Sequence, residues 1–202
     1  MTLAESWDRY AAGRTPRRAV NARGEATWLN WTQYPDHGPS EEVLGGVAGR
    51  RVLDLGAGSG DNLAHLATLG AVATGVDIAP SRKAVADERW AHLPDIAFVT
   101  AEATAFLRET TATFDVVLSI FGAAWFVAPD VLLPLIRGRM PAGGLLAFSH
   151  LPPGTGPAPG TGRAPVRTTR PPSGGSCSAA TDSARRVRPS SNRRTARRSA
   201  RC

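Results

Sequence analysis

Short, nearly continuous apolar runs separated by segments with helical spacing dominate the middle of this chain. Runs of strand length occupy 51–55, 72–77, 96–100, 114–120 and 144–150. Between them, 61–69 places Leu63, Leu66 and Ala67 on one helical face and stops at Gly70, and 80–91 opens with Pro80 at a first helical position. Segments 103–109 and 129–139 complete the alternation. Strands that alternate with helices pair in parallel through right-handed crossovers, and Val52-Leu53 and Val116-Val117-Leu118 suit strands covered on both faces. The pattern predicts a doubly wound α/β sheet, mainly parallel, of about five strands. Upstream, 2–12 and 41–48 read as helices. Between those two helices lies an irregular aromatic stretch with Trp28, Trp31, Tyr34, Pro35, His37, Gly38 and Pro39. It reads either as a surface loop anchored by its rings or as a lid over the crevice at the carboxyl ends of the strands.

Charge divides the 202 residues more sharply than hydropathy does. Residues 151–202 hold 11 Arg and one acid, Asp182, and carry +10 of charge, whereas 1–150, with 13 basic and 16 acidic side chains, stand at −3. The net +7 therefore belongs to the tail. Its large apolar residues are only Leu151, Val166 and Val187, so it is expected to be disordered. It also lacks Lys, Glu and Gln, which disordered tails commonly carry, and the chain turns to Pro152-Pro153-Gly154 where further strands would be expected. A shifted reading frame near residue 155 of a GC-rich gene is the expected origin. Three parts follow: 1–40, a helix and lid-like aromatic segment; 41–150, the sheet domain; and 151–202, the tail.

The run 116–129 is too short for the roughly 20 residues of a spanning helix. The N-terminus, with Glu5, Asp8 and Arg9, lacks a secretory pattern. Cys177 and Cys202 both lie in the tail, so the body has no thiolate metal site and no metal is expected. A cytoplasmic setting away from membranes is the expectation, and nothing in the pattern fixes an oligomeric state.

Candidate chemistry concentrates in Val52-Leu53-Asp54-Leu55-Gly56-Ala57-Gly58-Ser59-Gly60. A buried strand ends, glycines make a tight turn, and a helix begins with unpaired N–H groups that a ligand can approach. Asp77 ends the next strand 21 residues after Gly56, about the spacing at which a carboxylate meets ribose hydroxyls. A dinucleotide fingerprint would put its third glycine where Asp61 stands, and a carboxylate there repels a pyrophosphate. Asp54 repeats that objection but suits a cationic group. A zwitterionic amino acid joined to a nucleoside, S-adenosylmethionine, fits both halves of the loop.

These residues resemble motif I of the class I S-adenosylmethionine-dependent methyltransferases. Gly75-Val76-Asp77-Ile78-Ala79-Pro80 is similar to the family's second motif and Thr100-Ala101-Glu102-Ala103 to its third, with Glu102 where Asp is more usual. Segments 114–119 and 140–148 resemble its fourth and fifth strands, so the likeness covers roughly residues 40 to 150. It implies a Rossmann-like fold, here without the usual C-terminal β-hairpin. It also implies that Gly56, Gly58 and Gly60 cradle the methionine part with Asp54 nearby. Asp77 would take the ribose hydroxyls and Ile78 would pack on the adenine, while Glu102 and Ala103 border that ring and Ser119 completes the cofactor set.

Methyl transfer from a sulfonium needs alignment more than a base. Weak candidates for a base are His37, Tyr34 and His150. Phe121, Trp125 and Phe126 after the fourth strand, with Trp31 and Tyr34, are the expected acceptor-binding residues. The chain lacks the Asn/Asp-Pro-Pro-aromatic pattern of base amino-methyltransferases, and the body has no cysteine nucleophile. A small, largely apolar acceptor is therefore expected. Two other readings remain open: a cofactor-binding remnant without catalysis, and nonspecific nucleic-acid binding through Arg185-Arg186, Arg193-Arg194 and Arg197-Arg198.

Overall fold

Each apolar run becomes a strand of one parallel sheet in the computed structural model, which describes residues 1–150 except 14, 16, 33, 35 and 36. The strands are β1 Arg51–Leu55, β2 Val72–Asp77, β3 Ile96–Thr100, β4 Val116–Ile120 and β5 Leu145–Ser149. Their order is β3-β2-β1-β4-β5, so the winding reverses between β1 and β4. Every neighbouring pair is parallel. Every described residue falls in one compact unit. The arginine pairs, both cysteines and the expected frame shift lie outside the described residues.

The strands alternate their side chains between two cores, as a period of two requires. Val52, Val116 and Leu118 join Leu63, Leu66 and Ala67 of α2 (Asp61–Thr68) on one face. Leu53, Leu55 and Val117 join Leu107 of α4 (Ala103–Glu109), and Leu132 and Ile136 of α6 (Pro129–Arg137), on the other. A third cluster packs Ala64 of α2 against Ala86 and Trp90 of α3 (Pro80–Trp90). Helices cover both faces, as a doubly wound sheet demands.

Before the sheet, α1 (Leu3–Ala12) is closed by a reciprocal cap in which the Glu5 N–H donates to the Thr2 side chain and the Thr2 N–H to the Glu5 carboxylate. The helix expected over 41–48 is only a 3-10 turn, Glu41–Leu44. Ser40 caps that turn, and Gly45 at φ 69° ends it before a second turn can form. Strand β4 starts at Val116 because the Phe114 N–H donates to the Arg139 carbonyl instead of joining the ladder. A short helix that the pattern did not predict, α5 (Ala123–Phe126), follows β4. Among the described residues the sheet has five strands, and β5 is an edge with Phe148 exposed.

Candidate functional site

The turns leaving β1 and β4 nearly touch where the winding reverses. A Cβ on Gly56 would lie 2.5 Å from Gly122 Cα, and Gly56 has φ +88°, so only glycine fits there. The Gly56 and Ala57 N–H groups both donate to the Val76 carbonyl, at 2.8 and 3.0 Å. The Asp77 carboxylate splints the loop to the end of β2: Oδ2 accepts from Gly58 N at 2.8 Å and Oδ1 from Ala79 N at 2.9 Å. Each oxygen keeps a further lone pair for a ligand. Burial pushes the Asp77 carboxyl above its usual range, against those two hydrogen bonds and the Arg82 charge, which pull it down. Gly58 faces open space, because a Cβ there would meet nothing within 4 Å.

Asp54 is buried in β1, and its Oδ1 has no hydrogen-bond partner among the described residues. Burial, with the charge of Asp77 adding to it, raises its carboxyl to about 7. Asp61, at the start of α2, is held by Arg89 at 2.9 Å and by the Ser59 hydroxyl at 2.6 Å. Both helix and loop therefore present acids where a pyrophosphate would need N–H groups alone.

The loop forms one side of a cleft of about 890 Å³. The opposite wall comes from elements distant in sequence. Helix α1 contributes Trp7 and Tyr10 and is tied down at both ends of the cleft. On the α3 side, the Ser81 N–H and hydroxyl donate to Asp8 and Arg82 donates to the Ala11 carbonyl at 3.2 Å. On the α5 side, Trp7 meets Phe126 edge-on with ring centroids 4.7 Å apart. Beside it runs an extended segment that alternates: Leu29 and Trp31 enter the core, whereas Trp28, Asn30 and Thr32 line the cleft. Asn62 of α2 fixes the segment by accepting from Asn30 N at 3.0 Å and from Arg17 at 3.3 Å, and Arg17 lies 3.6 Å over the Trp28 ring.

Of the residues singled out in the sequence, Gly56, Gly58, Asp77, Ile78, Glu102 and Ala103 line the cleft on the loop side. Phe121, Trp125 and Phe126 line it beyond the switch point, with Trp125 5.7 Å from Phe121 and 5.1 Å from Phe126 between ring centroids. Glu102 also caps α4, accepting from Ala105 N at 2.9 Å and the Thr104 hydroxyl at 2.5 Å. Burial would raise its carboxyl, but these bonds and Arg108 outweigh it and hold it below the usual range.

The other residues singled out lie off the cleft lining. Ser119 is fully buried and does not line the cleft. Its hydroxyl donates to the Leu55 carbonyl at 2.8 Å and accepts from Ala124 N at 3.0 Å, so it joins the β1 and β4 turns. Gly60 lies under the loop, where a Cβ would meet the Phe98 ring at 2.5 Å. Trp31 is a core residue whose Nε1 donates to the Ser40 carbonyl. Tyr34 is 61% exposed, beside His37, and neither lines the cleft. His150 stacks beside Trp125 and Phe148, also off the cleft lining. Asp54 sits beneath the lining instead of in it.

The residues that sequence reasoning missed are Trp7, Tyr10, Trp28, Asn30 and Thr32. The period-two alternation over 28–32 was the available signal for the last three. Among the described residues no group of three or more His, Cys, Asp or Glu gathers in a metal-binding cluster. Among the same residues no helix is long and apolar enough to cross a membrane.

Residues 52–139 match the family model described as a methyltransferase domain. This segment is similar to methyltransferase domains. The chain is also similar to several solved structures. The S-adenosylmethionine-dependent methyltransferase from Thiobacillus denitrificans, in complex with S-adenosyl-L-homocysteine, is 28% identical with a TM-score of 0.45, over 53% of this chain and 44% of that one. The corresponding enzyme from Geobacter sulfurreducens, in the same complex, is 26% identical with a TM-score of 0.44, over 52% and 45%. The amino pentose methyltransferase CalS10 from Micromonospora echinaspora is 28% identical with a TM-score of 0.43, over 51% and 44%. The chain thus spans less than half the length of these proteins. No curated protein matches it.

Proposed function

We propose that this chain binds S-adenosylmethionine and transfers its methyl group to a small-molecule acceptor. The observation that carries the reading is the loop held open above its own acids. Gly58 looks onto empty space, Asp77 keeps lone pairs on both oxygens, and Asp54 Oδ1 is buried without a partner among the described residues. That donor set fits a ligand with a cationic amine and ribose hydroxyls, and it opposes a pyrophosphate. Gly56 and Gly58 would form the floor under the amino-acid part, with Asp54 beneath its ammonium. Asp77 would hold the ribose hydroxyls, Ile78 would pack on the adenine face, and Glu102 and Ala103 would border it.

When bound, S-adenosylmethionine supplies a methyl group already activated on a sulfonium. The chain's own residues then orient and exclude water. Phe121, Trp125 and Phe126 with Trp7 wall the acceptor side, and the turn at Gly122 sets the distance between acceptor and loop. None of His37, Tyr34 and His150 lines the cleft, which favours catalysis by alignment without a dedicated histidine base.

Calorimetry with S-adenosylmethionine tests the reading. Saturable heat is expected, weakened at least about tenfold in Asp77→Ala, since a hydrogen bond to a charged group is worth roughly 1.5–3 kcal/mol. Folded protein without saturable heat overturns the proposal. Heat without turnover on any acceptor would favour the noncatalytic reading.

A further inference from the structure

Three tryptophans are buried to the same degree, Trp28 and Trp31 at 7% exposure and Trp90 at 8%, yet they differ in what their Nε1–H groups meet. Trp31 donates to the Ser40 carbonyl at 3.3 Å and Trp90 to the Ser59 carbonyl at 2.9 Å. Trp28, the one that lines the cleft, has no acceptor for Nε1 among the described residues. Two residues along, Asn30 repeats the pattern. Its N–H donates to Asn62 and its Nδ2 to the Thr32 carbonyl at 3.0 Å, but its buried Oδ1 accepts nothing among the described residues.

Buried donors and acceptors are nearly always paired in native proteins, and each exception is costly. Here the exceptions are one donor and one acceptor, on alternate residues of an extended segment, hence on one side of it. Both residues line the cleft, whose lining also includes the rings of Trp7, Phe121, Trp125 and Phe126. We infer that Trp28 Nε1 and Asn30 Oδ1 read the acceptor: they select an aromatic molecule with a hydroxyl group, which accepts from the indole and donates to the amide. The aromatic walls favour the flat apolar body, and the pair rejects the same body without its hydroxyl, because both groups would then stay unpaired. This inference rests on the methyl-transfer reading above and adds the acceptor's chemical class.

The test uses protein with ¹⁵N-labelled tryptophan, saturated with S-adenosylhomocysteine, and two probes that differ by one hydroxyl, p-cresol and toluene. The Trp28 indole resonance is identified by its absence in Trp28→Phe. The expected result is that p-cresol shifts that resonance and binds about tenfold more tightly than toluene, a ratio that falls near one in both Asn30→Leu and Trp28→Phe. Heat of S-adenosylhomocysteine binding reports that each variant is folded. Equal affinities in the unmutated protein, or a Trp28 resonance unmoved by p-cresol, overturns the inference. If S-adenosylhomocysteine binds while p-cresol shows no preference, the acceptor assignment falls and the methyl-transfer reading stands. If S-adenosylhomocysteine does not bind, both fall.

Discussion

The two walls of the cleft are built on opposite principles. The loop wall comes from the ends of adjacent buried strands, where each turn is fixed by its neighbour: Gly56 against Gly122, Gly58 against Asp77, Ser119 between Leu55 and Ala124. The N-terminal wall joins an extended segment, whose Leu29 and Trp31 are anchored in the core, to a helix with no buried residue that is attached through separate side-chain contacts. Over-determined turns hold a cofactor site in one geometry. A helix hung on a few contacts can open for exchange of small molecules. Breaking a contact should accordingly cost global stability on the first wall and only local order at the helix of the second.

The largest effect is expected at Gly56. Alanine there takes a left-handed backbone, costing about 1–2 kcal/mol, and drives a Cβ into Gly122, costing about 1–3 kcal/mol more. Chemical denaturation of Gly56→Ala should show a loss of about 4 kcal/mol. Gly58→Ala, at φ +57° with nothing in its way, should lose only about 1–2 kcal/mol of stability while losing most of its cofactor affinity. Equal losses at the two glycines would mean that the loop is not braced against β4.

Asp54 gives the next effect, with a defined sign. Its folded carboxyl is raised from 3.8 to about 7, so ionisation works against the fold: the stability is present at acid pH and lost as pH rises through about 7. At about 1.4 kcal/mol per pH unit the loss in a rigid site would be somewhat over 4 kcal/mol, and structural relaxation reduces it to about 3. Asp54→Asn should match the parent near pH 4 and exceed it by about 3 kcal/mol near pH 8 in thermal melts. A constant difference across that range would show that Asp54 does not titrate there.

The two walls also differ in how far their residues could be read from sequence. Strands β1, β2 and β3 fall where the apolar runs put them, and Gly56, Gly58, Asp77 and Glu102 reach the cleft because a strand end and its following turn are local in sequence. Ser119 misled for the same reason: it ends a strand, but the inward side of that strand faces Leu55, and the chain next to it, from Ile120, takes the cleft position. The acceptor wall was opaque because long-range packing chooses it. Trp28 and Trp31 are alike in composition, and only the alternation through Leu29 and Asn30 separates the core ring from the cleft ring. The short 3-10 turn at Glu41–Leu44 was misread because the apolar spacing continues past Gly45, whose backbone does not.

Ser119→Ala tests the brace between β1 and β4 without strain. It leaves the Leu55 carbonyl and the Ala124 N–H without their buried partner, at a cost of about 2 kcal/mol. Because the brace belongs to the loop wall, the loss should appear in global unfolding. An Ala variant of unchanged stability would move Ser119 out of that wall.

The smallest effect should come from Trp7, and its smallness is the point. Trp7 touches Phe126 edge-on, a contact of about 0.5–1.5 kcal/mol. Helix α1 otherwise holds through the Ser81 donors to Asp8 and the Arg82 donor to Ala11, each worth about 1 kcal/mol. With its own cap from Thr2 and Glu5, the helix need not melt to leave the cleft. Opening therefore lies well below global unfolding in free energy, and Trp7→Ala lowers it further without touching the sheet. Hydrogen exchange should show α1 amides losing about tenfold in protection while those of β1 and β4 keep theirs, with global stability down by less than about 1 kcal/mol. A loss of several kcal/mol in global unfolding would place α1 in the same cooperative unit as the strand ends, and the contrast between the two walls would disappear.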